Sequence, residues 1–301
     1  NGKLNRVRTT GRVTELSKLV NEQKYQGKIG IAHTRWATHG APSERNAHPH
    51  FSGEVSKVAV VHNGIIENHE ALQQRLKDEG FEFNSDTDTE VIAHLVTLNL
   101  KKAPDLLEAV CLSISDLQGA YAIAVMEEAH PERIIVSRNG APLILGLGEN
   151  GNYAASDASA LLQVTKSMIY LEEGDVAELC QDSYRIVNCL GAGPHIKVTR
   201  EVHESELTNA AVEIGPYDHF MQKEIFEQPS AVANTLEMVL NAHSISPKLF
   251  GSKAENILKN TDGILILACG TSYHAGLVAR YWLESVAGIT CNVEIASEYR
   301  Y

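Results

Sequence analysis

The apolar residues of this sequence fall into short runs, none of them longer than a strand. Runs such as residues 58–61 and 264–268 are far shorter than the ~20 apolar residues that a helix needs to cross a bilayer. From residue 27 to about residue 188 such runs alternate with amphipathic helical stretches, a pattern typical of layered folds that mix helices and strands. We therefore expect a globular protein of mixed class with no membrane segment.

The charge and length of the chain limit its partners and its domain count. Among 301 residues, 26 Lys and Arg stand against 38 Asp and Glu, which leaves a formal charge of −12. Nucleic-acid binding depends on clustered basic residues that neutralise phosphates, so we expect no nucleic-acid partner. At ~100–200 residues per domain, the length favours two units.

The cysteines and the two ends of the chain indicate where the protein resides and how much of it is present. The five cysteines are odd in number and form no C-x-x-C pair, and no secretory signal opens the chain, which favours a reducing cytoplasm. The chain begins at Asn1 without Met and stops at Tyr301, directly after a strand-like stretch. We expect a fragment that lacks both ends.

Periodicity and turn signals predict the elements of the first unit. A helix is expected at residues 67–79, and a second at 88–102, opened by a capping box in which Thr87 is the cap and Glu90 lies three residues later. The predicted strands are residues 28–33, 57–62, 120–127, 133–137, 143–147 and 167–171.

A polar, aperiodic stretch near residues 189–216 predicts a domain connector. We place a first domain at 1–206, a linker at 207–217 and a second domain at 218–301. The second domain should begin with a helix at 219–240, interrupted at Pro229 because a proline disfavours a helical residue before it.

The rest of the second domain predicts the start of a parallel β-α-β sheet. A buried strand at 264–268 is followed by a loop at 269–272 and a helix through Val286. Val278, Trp282 and Val286 recur every four residues and form one apolar stripe on that helix. Cys269, at the end of the buried strand, should be buried as well.

Histidines cluster early in the chain, at positions 33, 39, 48, 50 and 62. A metal site is one interpretation, but no H-E-x-x-H or comparable spacing occurs and no cysteine lies nearby. We therefore expect no metal and assign these histidines to strand ends and loops, where they hold backbone groups.

Three segments carry polar side chains that suit a substrate, and each has an ordinary structural alternative. Arg35 follows a predicted strand and could clamp a carboxylate through its planar fork, or form a surface salt bridge. Asn63 and Gly64 could donate two N–H groups to an oxyanion, or form an Asn-Gly turn. The carboxylates of residues 86–90 could bind substrate, or simply lie at a helix N-terminus.

Taken in order, the segments HTRWATHG, NAHPH, HNGIIEN and TDTE resemble the N-terminal-nucleophile glutaminase domain of glutamine amidotransferases. Within that family the chain is most similar to the isomerising glutamine:fructose-6-phosphate amidotransferases. Trp36 after Arg35, TDTE rather than SDSE, and KEIFEQP followed by ILACGTSYHAG carry the narrower resemblance. The related purine-pathway amidotransferases would continue into a phosphoribosyltransferase instead.

The resemblance implies a fold and an activity. The fold is α+β followed by α/β: a truncated four-layer αββα glutaminase domain and the start of a doubly wound sugar isomerase (SIS) domain. The activity is transfer of the amide nitrogen of L-glutamine to fructose 6-phosphate, which gives glucosamine 6-phosphate and glutamate. No cofactor is implied, and the whole protein is expected to be a homodimer.

The resemblance also implies roles for single residues. Asn63 and Gly64 match the oxyanion hole, and Trp36 matches the indole that gates an ammonia channel. Thr271 and Ser272 match the first sugar-phosphate contacts, where a helix N-terminus suits a phosphate, although a plain helix cap is the alternative. The residues that match the glutamine site are Arg35, Thr38, His39, Gly64 and Asp88.

One departure from the family bears on activity. The family's nucleophile is an N-terminal cysteine, and Asn1 lies beyond that segment, so we expect residues 1–301 alone to be inactive. Two other interpretations stay open: a different amidotransferase of the same nucleophile class, and a non-catalytic phosphosugar-binding SIS protein, under which the glutaminase motifs would have no purpose.

Overall fold

The computed structural model describes residues 3–25, 27–35, 39–53, 57–190, 195–205, 213–237 and 254–299. The chain divides into two compact units, Asn1–Glu213 and Ile214–Tyr301. Within these described ranges, no helix combines the length and the apolar character that a membrane span requires.

The first unit combines four helices with eleven strands in its described part. The helices are α1 (Val13–Gln23), α2 (His69–Asp78), α3 (Glu90–Leu100) and α4 (Leu106–Ile114). The strands are β1 (His50–Ser52), β2 (Val58–Ile66), β3 (Gly119–Glu127), β4 (Ile134–Asn139), β5 (Ile144–Gly148), β6 (Gly151–Ala155), β7 (Ser167–Tyr170), β8 (Asp175–Leu179), β9 (Tyr184–Asn188), β10 (Ile196–Val198) and β11 (His203–Glu204).

Two sheets and a helical layer pack on one another in this unit. The larger sheet has the order β1-β2-β3-β4-β8-β9-β10 and the smaller β11-β7-β5-β6. One core lies between α2, α3, α4 and the larger sheet, and a second lies between the two sheets. On the outer face of the smaller sheet, Leu161 and Leu162 follow a short helical turn at Ala158–Ala160 and form a third core. The helix–sheet–sheet order agrees with the predicted αββα arrangement, and in the described residues the outer layer consists of this short turn and the residues that follow it.

Most predicted strands of the first unit are present within one or two residues of their expected bounds, but the strand at residues 28–33 is wrong. That segment is irregular in the structure. On its outer edge β2 pairs with β1, at residues 58–60, where His50 lies opposite Val60. An apolar run favours extended backbone, but it becomes a strand only where a neighbouring strand supplies its hydrogen-bond partners.

The predicted capping box of α3 is also wrong. Thr89, not Thr87, precedes the helix, and its side chain makes no capping bond. The carboxylate of Glu90 instead accepts hydrogen bonds from the backbone N–H groups of Asn84 and Ser85, at 2.9 and 2.7 Å. Glu90 therefore closes the turn before the helix, because those donors point toward it and the Thr87 N–H does not.

The second unit, in its described part, contains a parallel strand–helix–strand unit as predicted. Strands β12 (Gly263–Ala268) and β13 (Thr290–Ile295) pair in parallel. Helix α7 (Gly270–Trp282) connects them and ends in a π-helical turn at Leu283–Ala287. Two further helices precede this sheet, α5 (Phe220–Glu237) and α6 (Ala254–Lys259).

Three expectations for this unit are wrong. Helix α5 runs without interruption through Pro229. Proline has no N–H to donate to the carbonyl of Ile225, but Ile225 is exposed, so water can take the place of the missing donor. Strand β12 alternates exposed and half-buried residues instead of being buried, and Cys269 is exposed. The Val278, Trp282 and Val286 stripe is 51%, 67% and 84% exposed, because within the described residues the two-stranded sheet contacts only the opposite side of α7.

Candidate active site

Asn63 and Gly64 lie inside strand β2 and not in a turn. They pair with Ala122 and Tyr121 of β3, so the Asn-Gly turn considered from the sequence is wrong. The strand is buried up to His62, and residues 63–65 are exposed before Ile66 is buried again. The N–H donors of Asn63 and Gly64 thus lie on exposed residues at the end of an otherwise buried strand.

Gly64 is required by the close approach of strand β3. Its φ is +142°, a conformation that side chains with a Cβ rarely adopt. A Cβ at this position would lie 2.1 Å from the carbonyl oxygen of Ala120. Only glycine fits here without moving the backbone.

Asp88 is buried at the same end of β2. It is 4% exposed, and its Oδ2 accepts a hydrogen bond of 2.8 Å from the backbone N–H of Ile66, two residues beyond Gly64. The bond fixes the segment before α3 against the strand that carries Asn63. The position of Asp88 is therefore set by a specific contact and not only by the helix dipole.

Arg35 binds the loop that follows the glutaminase-like motif. Its guanidinium donates to the carbonyl oxygens of His39, Gly40 and Ala41, the last two at 3.1 and 3.4 Å. Among the described residues it forms no salt bridge, in contrast to the surface ion pair considered from the sequence. Bonds to the described residues use three of its five N–H donors, and the Nε–H and one Nη1–H make none with that part of the chain.

The loop at residues 39–46 is tied to the segment that carries Asp88. Asn46 donates to the carbonyl oxygen of Ala41 at 3.0 Å and exchanges hydrogen bonds with Asp86. Arg45 forms a salt bridge of 2.5 Å with Asp86. Arg35, His39 and Asp88 are thereby held by one connected set of contacts.

A network of histidine and threonine side chains lies beneath this site. The Thr89 hydroxyl lies 3.0 Å from both His48 Nε2 and His62 Nδ1. Thr87 contacts His50 Nε2 at 3.2 Å. The ring of His33 lies 4.2 Å from that of His48, centroid to centroid. Four of the five early histidines, at positions 33, 48, 50 and 62, therefore contact threonine hydroxyls or one another, where the sequence predicted bonds to backbone groups.

Burial keeps these imidazoles neutral. Desolvation lowers the pKa of His62 to about 4, although the negative charge of Asp88 acts in the opposite direction. Desolvation likewise lowers the pKa of His50 to about 4 and lowers those of His48 and His33. The residues beneath the site therefore add no positive charge to it at neutral pH.

Glu90 stays ionised in the same region. Burial raises the pKa of its carboxyl, but the nearby His94, 3.7 Å away, and hydrogen bonds from Ser85 and from the backbone of residues 84 and 85 outweigh that effect and lower it to about 2. The Ser85 hydroxyl donates to it at 2.6 Å. Glu90 is thus a structural carboxylate that organises the turn before α3.

The structure places the other predicted residues as follows. The ring of His39 lies 5.0 Å from that of His69, whose Nδ1 contacts the carbonyl oxygen of Ile66 at 2.8 Å. Trp36 and Thr38 lie outside the described residues. Thr271 and Ser272 are exposed residues in the first turn of α7, where the sequence predicted a loop.

The sequence reasoning missed Thr89 as the residue that joins the two histidines. The available signal was the occurrence of three motifs, NAHPH, HNG and TDTE, each with a histidine or threonine. Which of those side chains meet depends on the packing of α3 on the sheet. In the described part of the chain, the one group of His, Cys, Asp or Glu donors close enough to share an ion lies elsewhere, at Cys111, Cys189 and His195.

Comparison with protein-family models gives two matches. A model described as a glutamine amidotransferase domain matches residues 20–217, which include Arg35, His39, Asn63, Gly64 and Asp88. A model of the SIS domain matches residues 257–301, which include Thr271 and Ser272.

Two known proteins similar over nearly the full chain are each named glutamine–fructose-6-phosphate aminotransferase (isomerizing). The Haemophilus influenzae protein is 52% identical over 298 residues, 99% of this chain and 48% of that protein. The Bordetella pertussis protein is 54% identical over 303 residues, with 100% and 48% covered. The chain thus spans about half the length of these relatives.

Solved structures give partial superpositions. The Bacillus subtilis glutamine phosphoribosylpyrophosphate amidotransferase is 22% identical over 87% of this chain and 50% of that chain, with a TM-score of 0.42. The C-terminal domain of a glucosamine-fructose-6-phosphate aminotransferase from Francisella tularensis is 50% identical over 29% of this chain and 24% of that chain, with a TM-score of 0.27. These superpositions are too partial to bear on the fold.

Proposed function

The chain belongs to the glutamine amidotransferase family, and we propose that the protein of which it is part transfers the amide nitrogen of L-glutamine to fructose 6-phosphate. The products are glutamate and glucosamine 6-phosphate. The observation that carries the proposal is sequence identity to two glutamine–fructose-6-phosphate aminotransferases, 52% over 298 residues and 54% over 303 residues. The geometry at the exposed end of β2 supports the glutaminase half of the reaction.

The oxyanion hole is assigned to Asn63 and Gly64. In this nucleophile class a cysteine attacks the glutamine amide and gives a tetrahedral oxyanion, then a thioester and ammonia. The Asn63 amide and the Gly64 N–H are the donors offered to that oxyanion. Their place on a strand that is paired with β3 through both residues suits the role, because donors fixed in advance need no reorganisation in the transition state.

Glutamine is assigned to the groups around Asp88. The carboxylate of Asp88 suits the α-amino group of the substrate, and the unused N–H groups of Arg35 suit its α-carboxylate. His39 and Thr38 would lie beside them. Because Asp88 is bound to Ile66 N and Arg35 to three carbonyl oxygens, both charges are oriented before substrate binds.

The sugar half of the reaction is assigned to the second unit. The exposed N-terminal turn of α7, with Thr271 and Ser272, offers hydroxyl and N–H donors and the positive end of a helix dipole to the phosphate of fructose 6-phosphate. Trp36 is proposed to gate the passage of ammonia toward this site. No metal or redox cofactor is needed for the amide transfer as written.

Three further features belong to the proposal. We expect the whole protein to be a homodimer, as the family resemblance implies. The five free cysteines suit a reducing cytoplasm. A polypeptide of residues 1–301 alone should not hydrolyse glutamine, because the cysteines it carries lie in α4, near the ends of β8, β9 and β12, and in β13, and the proposed nucleophile is an N-terminal cysteine.

The test is Asn63→Ala in the full-length enzyme. We expect kcat for glutamine hydrolysis to fall by roughly 10²–10³ with a smaller change in KM, because a donor that acts on the oxyanion is lost. Arg35→Lys should mainly raise KM for glutamine, since the planar fork is lost. Steady-state kinetics of glutamate release measures both.

The matched control is Asn150→Ala, which removes an exposed amide from the β5–β6 turn and should leave kcat unchanged. If Asn63→Ala keeps kcat within a factor of two, the oxyanion assignment is wrong. If the wild-type enzyme releases no glutamate but still binds sugar phosphate, the non-catalytic SIS interpretation is the better one.

A further inference from the structure

Two cysteines and a histidine converge where α4 meets the ends of two strands. Cys111 lies on α4, Cys189 directly follows β9, and His195 directly precedes β10. Their ligand atoms all lie within 4.8 Å of one another, and the two Sγ atoms are 2.7 Å apart. Three side chains of the kinds that bind metal ions are thus brought to one point by elements distant in sequence.

A fourth side chain orients the histidine. Glu108 lies one helical turn before Cys111 on the same face of α4, and its carboxylate is 2.6 Å from Nε2 of His195. A carboxylate that accepts the N–H of a ligating histidine fixes the ring and raises its basicity, an arrangement common around zinc. Cys111 is 1% exposed, whereas the His195 side chain is 22% exposed. The cluster is therefore buried on the cysteine side, and solvent reaches it at His195.

We propose that Cys111, Cys189 and His195 bind a thiophilic divalent cation, Zn²⁺ being the ion that fits this set best. Two thiolates and one imidazole select zinc over Mg²⁺ and Ca²⁺, which prefer oxygen ligands. With Zn–S bonds of about 2.3 Å, two sulfurs in a tetrahedral site stand about 3.8 Å apart, so the thiols must separate by about 1 Å. Rotation about the Cα–Cβ bond of Cys189, which is less buried than Cys111, is the movement that this requires.

The position of the three ligands in the fold determines what a bound ion would stabilise. Cys111 and Cys189 pack against the core between the helical layer and the larger sheet. An ion there would join α4 to the ends of β9 and β10 and stabilise that contact. Three protein ligands leave the fourth position to water, so a chelator should remove the ion.

A disulfide is the competing outcome, since the closeness of the two sulfurs suits it as well. Its formation would need an oxidant, such as a small-molecule disulfide, which accepts two electrons while the two thiols lose their protons. The disulfide would use neither His195 nor Glu108. The metal uses both, and for that reason we favour it.

The test is titration of the full-length protein with Co²⁺, under a phosphine reductant and without oxygen. We expect one Co²⁺ per chain with the intense thiolate-to-cobalt absorption, its displacement by one equivalent of Zn²⁺, and a higher Tm with zinc. Cys189→Ser and His195→Ala should each weaken Zn²⁺ binding at least tenfold. The matched control, Cys180→Ser, changes a half-buried cysteine outside the cluster and should bind as wild type does.

Several outcomes would overturn the proposal. Absence of the thiolate–cobalt band in the wild-type protein is one, and an unchanged band in His195→Ala is another. A disulfide would be assigned by three results together. The mass of wild-type protein purified without reductant would be two hydrogens below that of the reduced protein, Cys111 and Cys189 would appear in one cross-linked peptide, and the reduced protein would bind no zinc. If Cys189→Ser fails to fold, Zn²⁺ binding by His195→Ala decides the question alone, because the His195 side chain is partly exposed and its removal should be tolerated.

Discussion

At the scale of single residues, Thr89 joins two histidines that the sequence places far apart. One hydroxyl proton serves only one imidazole, so the other imidazole must donate to the Thr89 oxygen. Both rings are buried, and for His62 the cost of burying a charged ring outweighs the favourable charge of Asp88. The network therefore holds neutral histidines.

This residue network predicts an early loss of stability in acid. His50 and His62 have folded-state pKa values of about 4 and unfolded values of about 6.5, so between these values the unfolded chain binds more protons. Stability is complete above pH 6.5 and falls as pH drops toward 4, by about 2 kcal/mol for each histidine from pH 7 to pH 5. Urea unfolding at several pH values measures it.

The control for the acid effect is His50→Gln. The variant removes one titrating group and should flatten the slope of unfolding free energy against pH between pH 6.5 and pH 4, whatever its stability at pH 7. An unchanged slope would mean that His50 does not titrate as described. Glu90, whose pKa is about 2, contributes only at lower pH, where its stabilisation is lost as pH falls from about 4.5.

At the scale of elements, β2 both builds the core and presents the site. Its first five residues are buried, and Asn63, Gly64 and Ile65 are exposed before the strand ends at Ile66. The pairing of β2 with β3 continues through this exposed stretch. The site is rigid because it lies on a paired strand instead of a loop.

This element predicts that Gly64→Ala destabilises the first unit by at least about 2 kcal/mol, from strain at positive φ and a clash with β3. Differential scanning calorimetry measures the shift in Tm. The matched control is Gly151→Ala, where φ is +154° but no atom lies within 4 Å of the added Cβ. Equal shifts for the two variants would contradict the close approach of β3 to Gly64.

At the scale of the whole molecule, the two units differ in how much apolar surface they bury. Among the described residues, all the buried apolar side chains except Ala254 and Cys291 lie in the first unit. The second unit exposes Phe226, Tyr281 and Trp282 by 64%, 64% and 67%. Since burial of apolar surface is the main source of stability, the first unit should be the more stable one.

This difference predicts the order of cleavage when residues 1–301 are treated with limiting chymotrypsin. Cuts in the second unit should come first and leave a resistant product close to residues 1–213, as mass spectrometry would show. Tyr170 and Tyr184 of the first unit are the internal control, because they are 48% and 40% exposed but lie in paired strands. Cleavage at these tyrosines before any cut in the second unit would contradict the prediction.

The sequence by itself determined the family, the candidate site residues and part of the elements, but not helices α1 and α4 or strands such as β1, β6 and β8. Strands such as β3 and helices such as α3 follow from local apolar periodicity, and HTRWATHG, HNGIIEN and TDTE identify the family because they preserve residue types in order. The tertiary structure alone decided that Asn63 and Gly64 lie in a strand, that Glu90 closes a turn, and that Thr89 meets His48 and His62. It alone brought Cys111, Cys189 and His195 together. Such contacts depend on which strand edges pair and which helix packs on them, and local sequence preference does not encode that choice.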